Sequence, residues 1–287
     1  QRWGDPQTKT NKLFVNAGLP LTGDAELYAT GSFMDKKVLS SFFYRNPVLP
    51  AQYGIGGRST LVSYADGTLT PANAPQSLVD SIVAGGGDPA NYLTANAASP
   101  SGWVLLNPIY TKFPGGYSPL FGADISDHQL VGGVRGGGQS NLQWDLHYRT
   151  GSNEVDYQLK GSINPSLGSL SPTNFHPGKL TQREQGAGAD FVRSFDDSPL
   201  TLAFGANWRQ ETYIIHQGDA GSIEVGPTAS VFGVGSDAFQ GFPANAAGRF
   251  TQNSEAAYVD AETNFTDQWS GAAAVRSHTG AIAVDDR

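Results

Sequence analysis

Short and long connections alternate along this chain. Turn-forming residues at 22–24, 136–140, 196–198 and 266–268 each join two runs with strand character. Three long segments rich in Gly, Pro and aromatic residues separate these hairpins, at 46–127, 161–180 and 217–253. Since the hairpins are antiparallel, the short turns are expected at one end of a sheet and the long connections at the other.

The segment 141–149 has the clearest strand pattern. Leu142, Trp144, Leu146 and Tyr148 alternate with polar residues, and only an extended strand sorts such an alternation onto two faces. Similar patterns predict about eight strands in four hairpins, 12–35, 128–149, 181–215 and 254–277. The individual strands are expected at 12–20, 25–35, 128–136, 141–149, 181–195, 199–215, 254–265 and 268–277.

The polar side of these strands is too polar for the core of a β-sandwich. This pattern favours a sheet with water on one face and lipid or protein on the other. Strands of about 9–11 residues cross a bilayer when they are tilted. Short turns on one side and long loops on the other are typical of outer-membrane barrels. We therefore predict an all-β fold, an antiparallel up-and-down meander of a transmembrane β-barrel. It would occupy 1–287 as a single region, with long extracellular loops.

Composition excludes several function classes. The 287 residues carry a net charge of −8, which disfavours nucleic acid as a partner. The absence of cysteine excludes zinc ribbons, thiol catalysis and disulfide frameworks. No stretch of about 18 apolar residues predicts a transmembrane helix, whereas a mean hydropathy of −0.30 is compatible with barrel strands. Because the chain starts at Gln1, we expect a processed, trimmed or partial protein.

The segment 46–127 is long for a loop in a compact domain. It is expected either to contain small internal hairpins or to form one large extracellular loop. A short helix is predicted at 77–84.

Nine segments, in order over most of 10–276, combine strand pattern with a regular hairpin spacing: 12–21, 25–29, 41–46, 127–135, 142–153, 190–196, 204–209, 240–243 and 255–266. In the sequence and spacing of these hairpins, the chain resembles the barrel of TonB-dependent outer-membrane receptors.

This resemblance implies a location in the bacterial outer membrane and contact with its lipid. Receptors of this family form a barrel of about 22 strands with a plugged lumen. They take up a scarce ligand of the siderophore, cobalamin or oligosaccharide class, powered by the TonB complex. The plug domain, through which TonB acts, is expected outside this chain. About eight strands are too few for a barrel of this family, so three alternatives stay open: the remaining strands lie outside this chain, the eight strands close as a small barrel, or they pair with other copies.

Two sets of residues are candidates for ligand contact. Polar side chains on predicted strands are expected to face the lumen and to contact water, plug or ligand: Gln143, Asp145, His147, Arg149, Asn207 and Arg209. Aromatic residues of the first long segment are expected to expose rings that stack on sugars or flat chelates: Trp103, Tyr110, Phe113, Tyr117 and Phe121. In the alternative interpretation, these rings fold the loop onto itself.

Covalent chemistry is not expected. The glycine-rich segments 54–57 and 233–235 lack the spacing of a dinucleotide loop, and no two histidines have the spacing of metal ligands. We therefore predict no catalytic residue, metal site or cofactor. A contact with a metal or a siderophore stays an alternative for His176 and His216, which lie in or beside long loops.

Two further functions stay open. The chain could be a structural β module that assembles through strand edges with itself or a larger complex. It could also be a soluble β-rich enzyme or carbohydrate-binding domain.

Overall fold

Eight long antiparallel strands form one sheet. The computed structural model describes residues 6–21, 23–45, 61–63, 69–105, 112–138 and 141–285. Its strands are β1 (Gln7–Pro20), β2 (Glu26–Ser41), β7 (Leu120–Gly136), β8 (Leu142–Lys160), β9 (Asn174–Phe195), β10 (Ser198–His216), β11 (Gly248–Thr266) and β12 (Trp269–Asp285). They lie in the sheet in the order β1-β2-β7-β8-β9-β10-β11-β12.

A smaller unit lies between β2 and β7. It contains a second sheet of four short strands and a helix whose buried side chains are Leu78, Val79 and Ile82. The first long connection therefore contains small strands and a helix, and the predicted helix at 77–84 is confirmed. The elements are β3 (Leu61–Ser63), β4 (Leu69–Asn73), α1 (Gln76–Ala84), the 3₁₀ turn η1 (Pro89–Asn91), β5 (Thr94–Ala95) and β6 (Trp103–Leu105).

The predicted meander is confirmed, but most of its strands are longer than the sequence indicated. β7 begins at Leu120 rather than 128, and β8 ends at Lys160 rather than 149. β12 continues to Asp285, so the expectation that it ends near 277 is wrong. The long connections shrink accordingly, since the second ends before Asn174 and the third before Gly248.

Tight turns connect the strands at the end of the sheet opposite the long connections. β9 and β10 are separated only by residues 196–197, and β11 and β12 only by 267–268. Gly137, after β7, has φ +83°, and a Cβ there would lie 1.8 Å from the carbonyl oxygen of Leu142. The conformation and this close approach both require glycine.

The sheet has two faces that differ in chemistry. The front face is the side of Asp145, His147 and Arg149, and the back face is the side of Trp144, Leu146 and Tyr148. The register extends each face across neighbouring strands, since Leu146 lies opposite Val134 and Ala189, while Asp145 lies opposite Arg135 and Asp190.

The apolar side chains change face along the strands. In β8 they lie on the back face up to Tyr148, but Val155, Tyr157 and Leu159 lie on the front face. In β7, Leu130 and Val134 lie on the back face, whereas nearer the long connections the apolar residues lie on the front face. This change interrupts the alternation by which strands are recognised in sequence, so the predicted strands stopped where it occurs.

The long connections cause this change because they pack on the front face at their own end of the sheet. Phe239 of the third connection stacks on Phe121 of β7, with ring centroids 4.5 Å apart. It also contacts Tyr157 of β8, at 5.1 Å. Front-face apolar residues at this end are therefore covered by protein, and Leu159 is completely buried.

The three long connections pack on one another and form what we call the cap, the described parts of 42–119, 161–173 and 217–247. Phe232 of the third connection joins the hydrophobic cluster of α1. Asn164 of the second donates from Nδ2 to the carbonyl oxygens of Gly221 and Glu224, both at 2.9 Å. The cap also contains η2 (Pro165–Leu170) and α2 (Ala220–Ile223).

Within the described residues, the sheet does not close on itself. β1 pairs only with β2, and β12 pairs only with β11. Two strand edges, Gln7–Pro20 and Trp269–Asp285, are thus left with a single neighbour each.

In the described part of the chain, no helix is both long and apolar enough to cross a membrane.

Candidate functional site

The back face carries a continuous apolar surface on the half of the sheet nearest the tight turns. We call it the apolar belt. Val15, Leu146, Val259 and Val275 are 52, 47, 54 and 76 % exposed, so no layer of described residues covers it. Its members include Leu13, Val15, Ala17, Leu19, Leu27, Ala29, Phe33, Leu130, Val134, Leu142, Trp144, Leu146, Tyr148, Ala187, Ala189, Phe191, Leu202, Phe204, Ala206, Trp208, Ala257, Val259, Ala261, Ala273 and Val275.

A row of amide side chains borders the belt on the side of the cap. The hydroxyl of Tyr148 donates to Gln185 (3.0 Å), Gln185 donates to Gln210 (2.8 Å), and Gln210 donates to Asn253 (2.8 Å). We call Gln185, Gln210 and Asn253 the amide row. Side-chain polarity on the back face thus changes abruptly between neighbouring rows of the sheet.

The front face opposite the belt carries a pair of carboxylates. Asp145 of β8 and Asp190 of β9 are directly opposed in the register. Nδ1 of His147 lies 2.9 Å from Oδ1 of Asp145 and 3.8 Å from Oδ2 of Asp190. Tyr28 donates its hydroxyl hydrogen bond to Asp145 at 2.9 Å, and Tyr258 donates to Asp190 at 2.7 Å. Because like charges opposed in a sheet repel, these donors stabilise the pair.

Glycines make room for these side chains to lie flat on the sheet. Tyr28 crosses Gly133 to reach Asp145, and a Cβ on Gly133 would lie 2.7 Å from its hydroxyl oxygen. A Cβ on Gly188 would lie 2.5 Å from Cε1 of His147. The glycine positions therefore determine which polar side chains can meet across three strands.

A second charged cluster lies closer to the cap. Glu184 accepts from Arg149 Nε at 3.0 Å and from Arg209 at 2.7 Å, and Arg209 also pairs with Glu211 at 2.5 Å. Both clusters lie on the same face, and together they present carboxylate, imidazole, phenol and guanidinium groups, so this face can bind polar ligands or water through many donors and acceptors.

The six polar residues predicted from the sequence all lie on the front face. Asp145, His147, Arg149 and Arg209 belong to the two charged clusters. Gln143 lines a cavity of about 430 Å³ with Glu26, Arg135 and Asp190. Asn207 shares a row of the sheet with His147 and Gly188. Their partners Tyr28, Glu184, Asp190 and Tyr258 were missed, because only the register reveals which strands are neighbours.

The predicted loop aromatics do not form one exposed surface. Tyr117 is only 6 % exposed, so the expectation of an exposed ring is wrong there. Phe113 stacks on it at 4.7 Å, Trp103 packs on the cluster of α1, and Phe121 lies in the aromatic group over β8. Tyr110 lies outside the described residues. Stacking among the rings folds the connection onto itself because burial of aromatic area stabilises the cap.

An ion pair inside the cap joins its first and third connections. Arg45 Nε lies 2.8 Å from Oδ2 of Asp237, and the hydroxyl of Tyr117 donates to the same oxygen at 2.7 Å. Burial, followed by the negative charge of Asp237, raises the pKa of Tyr117 far above its usual range. No sequence signal identified Arg45 or Asp237, which are 192 residues apart.

Where the structure describes the chain, no group of three or more His, Asp or Glu side chains converges to hold a metal ion. His176 instead lies 3.2 Å from Asp156, and His216 lies 3.4 Å from Thr181.

Comparisons with protein-family models, with curated proteins and with solved structures found no match.

Proposed function

We propose that this chain is part of the wall of an outer-membrane β-barrel of the TonB-dependent receptor type, with the apolar belt against lipid and the front face against an aqueous passage. The uncovered belt is the observation that carries this proposal. A continuous apolar surface of this extent is uncommon on soluble monomers and marks a surface that contacts lipid or protein.

The dimensions of the belt support contact with a bilayer. From Leu142 to Tyr148 the belt extends about 20 Å along β8, at roughly 3.3 Å per residue. Lipid-facing bands of barrels are about 25 Å tall and have aromatic residues at their borders. Tyr148 and Trp208 lie at the border with the amide row, and Phe265 and Trp269 lie at the tight-turn end.

The front face supports the role of a passage wall. It carries the Asp145–Asp190 pair at the level of the belt and the cluster around Glu184 at the level of the amide row. A soluble sandwich would need apolar residues behind the belt. Charged groups of both signs, with hydrogen-bond partners beside them, are suited to water, to a polar ligand or to a plug domain. In this proposal no bond of the ligand is broken.

The cap would lie on the outer side of the membrane and would contact the ligand first. Its internal packing supports a preformed surface, since Arg45, Asp237 and Asn164 connect all three long connections. The ligand class, siderophore, cobalamin or oligosaccharide, follows from the family resemblance. Passage through the lumen would depend on a plug domain and the TonB complex as partners.

The open edges favour a second candidate, a structural β module. Backbone groups on β1 and β12 lack a partner strand within the described residues, and lipid does not tolerate unpaired edges. In the receptor these edges would pair with other barrel strands. In the alternative they would pair with a second copy or a larger complex.

Tryptophan quenching by brominated lipid tests the placement of the belt. The chain would be reconstituted in phosphatidylcholine vesicles as single-tryptophan variants that keep either Trp144, in the belt, or Trp103, in the cap. We expect bromine on the acyl chains to quench Trp144 and to leave Trp103 unaffected. A chain that is monodisperse in detergent-free buffer, with Trp144 unquenched, would instead support the soluble carbohydrate-binding alternative.

A further inference from the structure

A polar groove lies on the back face directly beyond the amide row, on the side of the cap. Its volume is about 510 Å³, and Ser152, Arg183, Thr212 and Arg249 are among the residues that line it. Arg183 lies opposite Ser152 and Thr212, while Arg249 lies opposite Ile214 on the next pair of strands. The two arginines therefore reach the same groove from strands β9 and β11.

Two arginines line the groove, although the whole chain has a net charge of −8. Both arginines are exposed, and neither forms an ion pair with a side chain that the structure describes. Glu154 lines the groove but is paired with Lys179 at 3.2 Å. Glu184 also lines it but is held toward the front face by Arg149 and Arg209. Of the two carboxylates that line the groove, one is thus paired with a lysine and the other is held on the front face.

We propose that this groove binds the phosphate group of an anionic lipid whose acyl chains lie on the apolar belt. The inference rests on the proposed membrane position of the belt. Guanidinium groups bind phosphate oxygens through paired hydrogen bonds, and the hydroxyl of Ser152 in the same groove can donate to the same group. From Arg183 to Ala187, on the same face of β9, the distance is about 13 Å. A lipid would therefore place its phosphate in the groove and its chains on the belt.

The test uses Trp208 as the reporter, because it lies on the back face of β10 four residues from Thr212. In a chain whose other tryptophans are replaced by Phe, bromine on the acyl chains of phosphatidylglycerol is compared with bromine on phosphatidylcholine at equal mole fraction. We expect stronger quenching by the anionic lipid. Each arginine near a membrane surface contributes about fivefold to the binding of an anionic lipid, so Arg183→Gln with Arg249→Gln should remove the preference.

Arg276→Gln is the matched control, since Arg276 lies opposite Tyr258 on the front face, and this variant should keep the preference. A preference that persists in the double variant would overturn the inference. Removal of the preference by millimolar inorganic phosphate would also overturn it, in favour of a site for free phosphate. Equal quenching by both lipids would contradict phosphate binding in the groove and leave the membrane position of the belt intact. The absence of quenching by either lipid would contradict the membrane position of the belt as well.

Discussion

Asp145 of β8 lies directly opposite Asp190 of β9, and the ring of His147 lies between their carboxylates, 2.9 Å from one and 3.8 Å from the other. Two opposed carboxylates repel each other, so the hydrogen-bond donors around them are needed to stabilise this arrangement in the folded chain. Tyr28 and Tyr258 approach from opposite sides of the pair. The arrangement spans strands β2 to β11 and depends on glycines that let these rings lie flat.

The glycine beneath His147 offers a direct test of this arrangement. Gly188→Ala would bring a Cβ to 2.5 Å from the imidazole, so the ring must leave Asp145. We expect a loss of about 1–3 kcal/mol in the free energy of unfolding, as for other overpacked sites, measured by urea titration in vesicles. The control is Gly132→Ala, where a Cβ meets nothing closer than 3.7 Å. Equal losses in the two variants would contradict a specific role of the His147 ring.

The hydroxyl of Tyr28 provides a second test of the carboxylate pair. Tyr28→Phe removes the donor to Asp145 and keeps the ring. A hydrogen bond to a charged group contributes about 1.5–3 kcal/mol, against about 0.5–1.5 for a neutral one. We therefore expect a larger loss of unfolding free energy than for Tyr148→Phe, which removes a donor to the neutral Gln185. The opposite ranking would show that Asp145 gains nothing from the phenol.

Charge substitutions on the back face test the belt at two positions on one strand. Leu146→Arg would bring a guanidinium into the middle of the belt, where lipid-facing arginine costs about 2–4 kcal/mol. Thr150→Arg, four residues nearer the cap on the same face, should cost about 0–1 kcal/mol. Both are measured by urea unfolding in vesicles. Two equal, small effects would contradict lipid contact at Leu146.

The buried amide of Asn164 is expected to hold the cap together. Asn164 is fully buried, and Asn164→Ala would leave two carbonyl groups without donors and Ser166 without its acceptor. We expect a local loss of about 2–3 kcal/mol, seen as faster limited proteolysis within 217–247. Asn174→Ala, at an exposed position, should leave the cleavage rate unchanged. Unchanged cleavage in Asn164→Ala would mean that the third connection is held by other contacts.

Tyr117 should make the cap sensitive to alkaline pH. Its pKa is raised in the folded chain by burial and by Asp237, whereas tyrosine in an unfolded chain ionises near pH 10. Above about pH 10 the unfolded chain therefore binds fewer protons than the folded one, and stability falls as pH rises. We expect proteolysis of the cap to accelerate above that pH in the wild type and less so in Tyr117→Phe. An identical pH profile in both chains would exclude Tyr117 as the cause.

The part of the fold nearest the tight turns could be predicted from the sequence. There, Leu142 to Tyr148 alternate with Gln143 to Arg149 without interruption, and turn residues such as Gly137 end the strands. The same alternation assigned all six candidate polar residues to one face. The far ends of the strands could not be predicted in this way, because Val155, Tyr157 and Leu159 lie on the other face from Leu146 and Tyr148.

The sequence also could not decide whether the aromatic rings of the first long connection are exposed or buried. The composition around Pro114 is compatible with exposed rings and with a folded connection alike. Tyr117 is buried because Asp237 and Arg45 approach it, and these two residues are far from it in sequence. Only contacts of this kind distinguish a ring that binds ligand from a ring that packs.

The sequence alone therefore determined the strands, their tight turns and the two faces of the sheet near those turns, because alternation and turn chemistry are local properties. The tertiary structure decided where the strands end, which carboxylates meet and which aromatic rings are buried. The physical reason is that burial of the front face depends on the cap, and the cap is assembled from three connections that are distant along the chain.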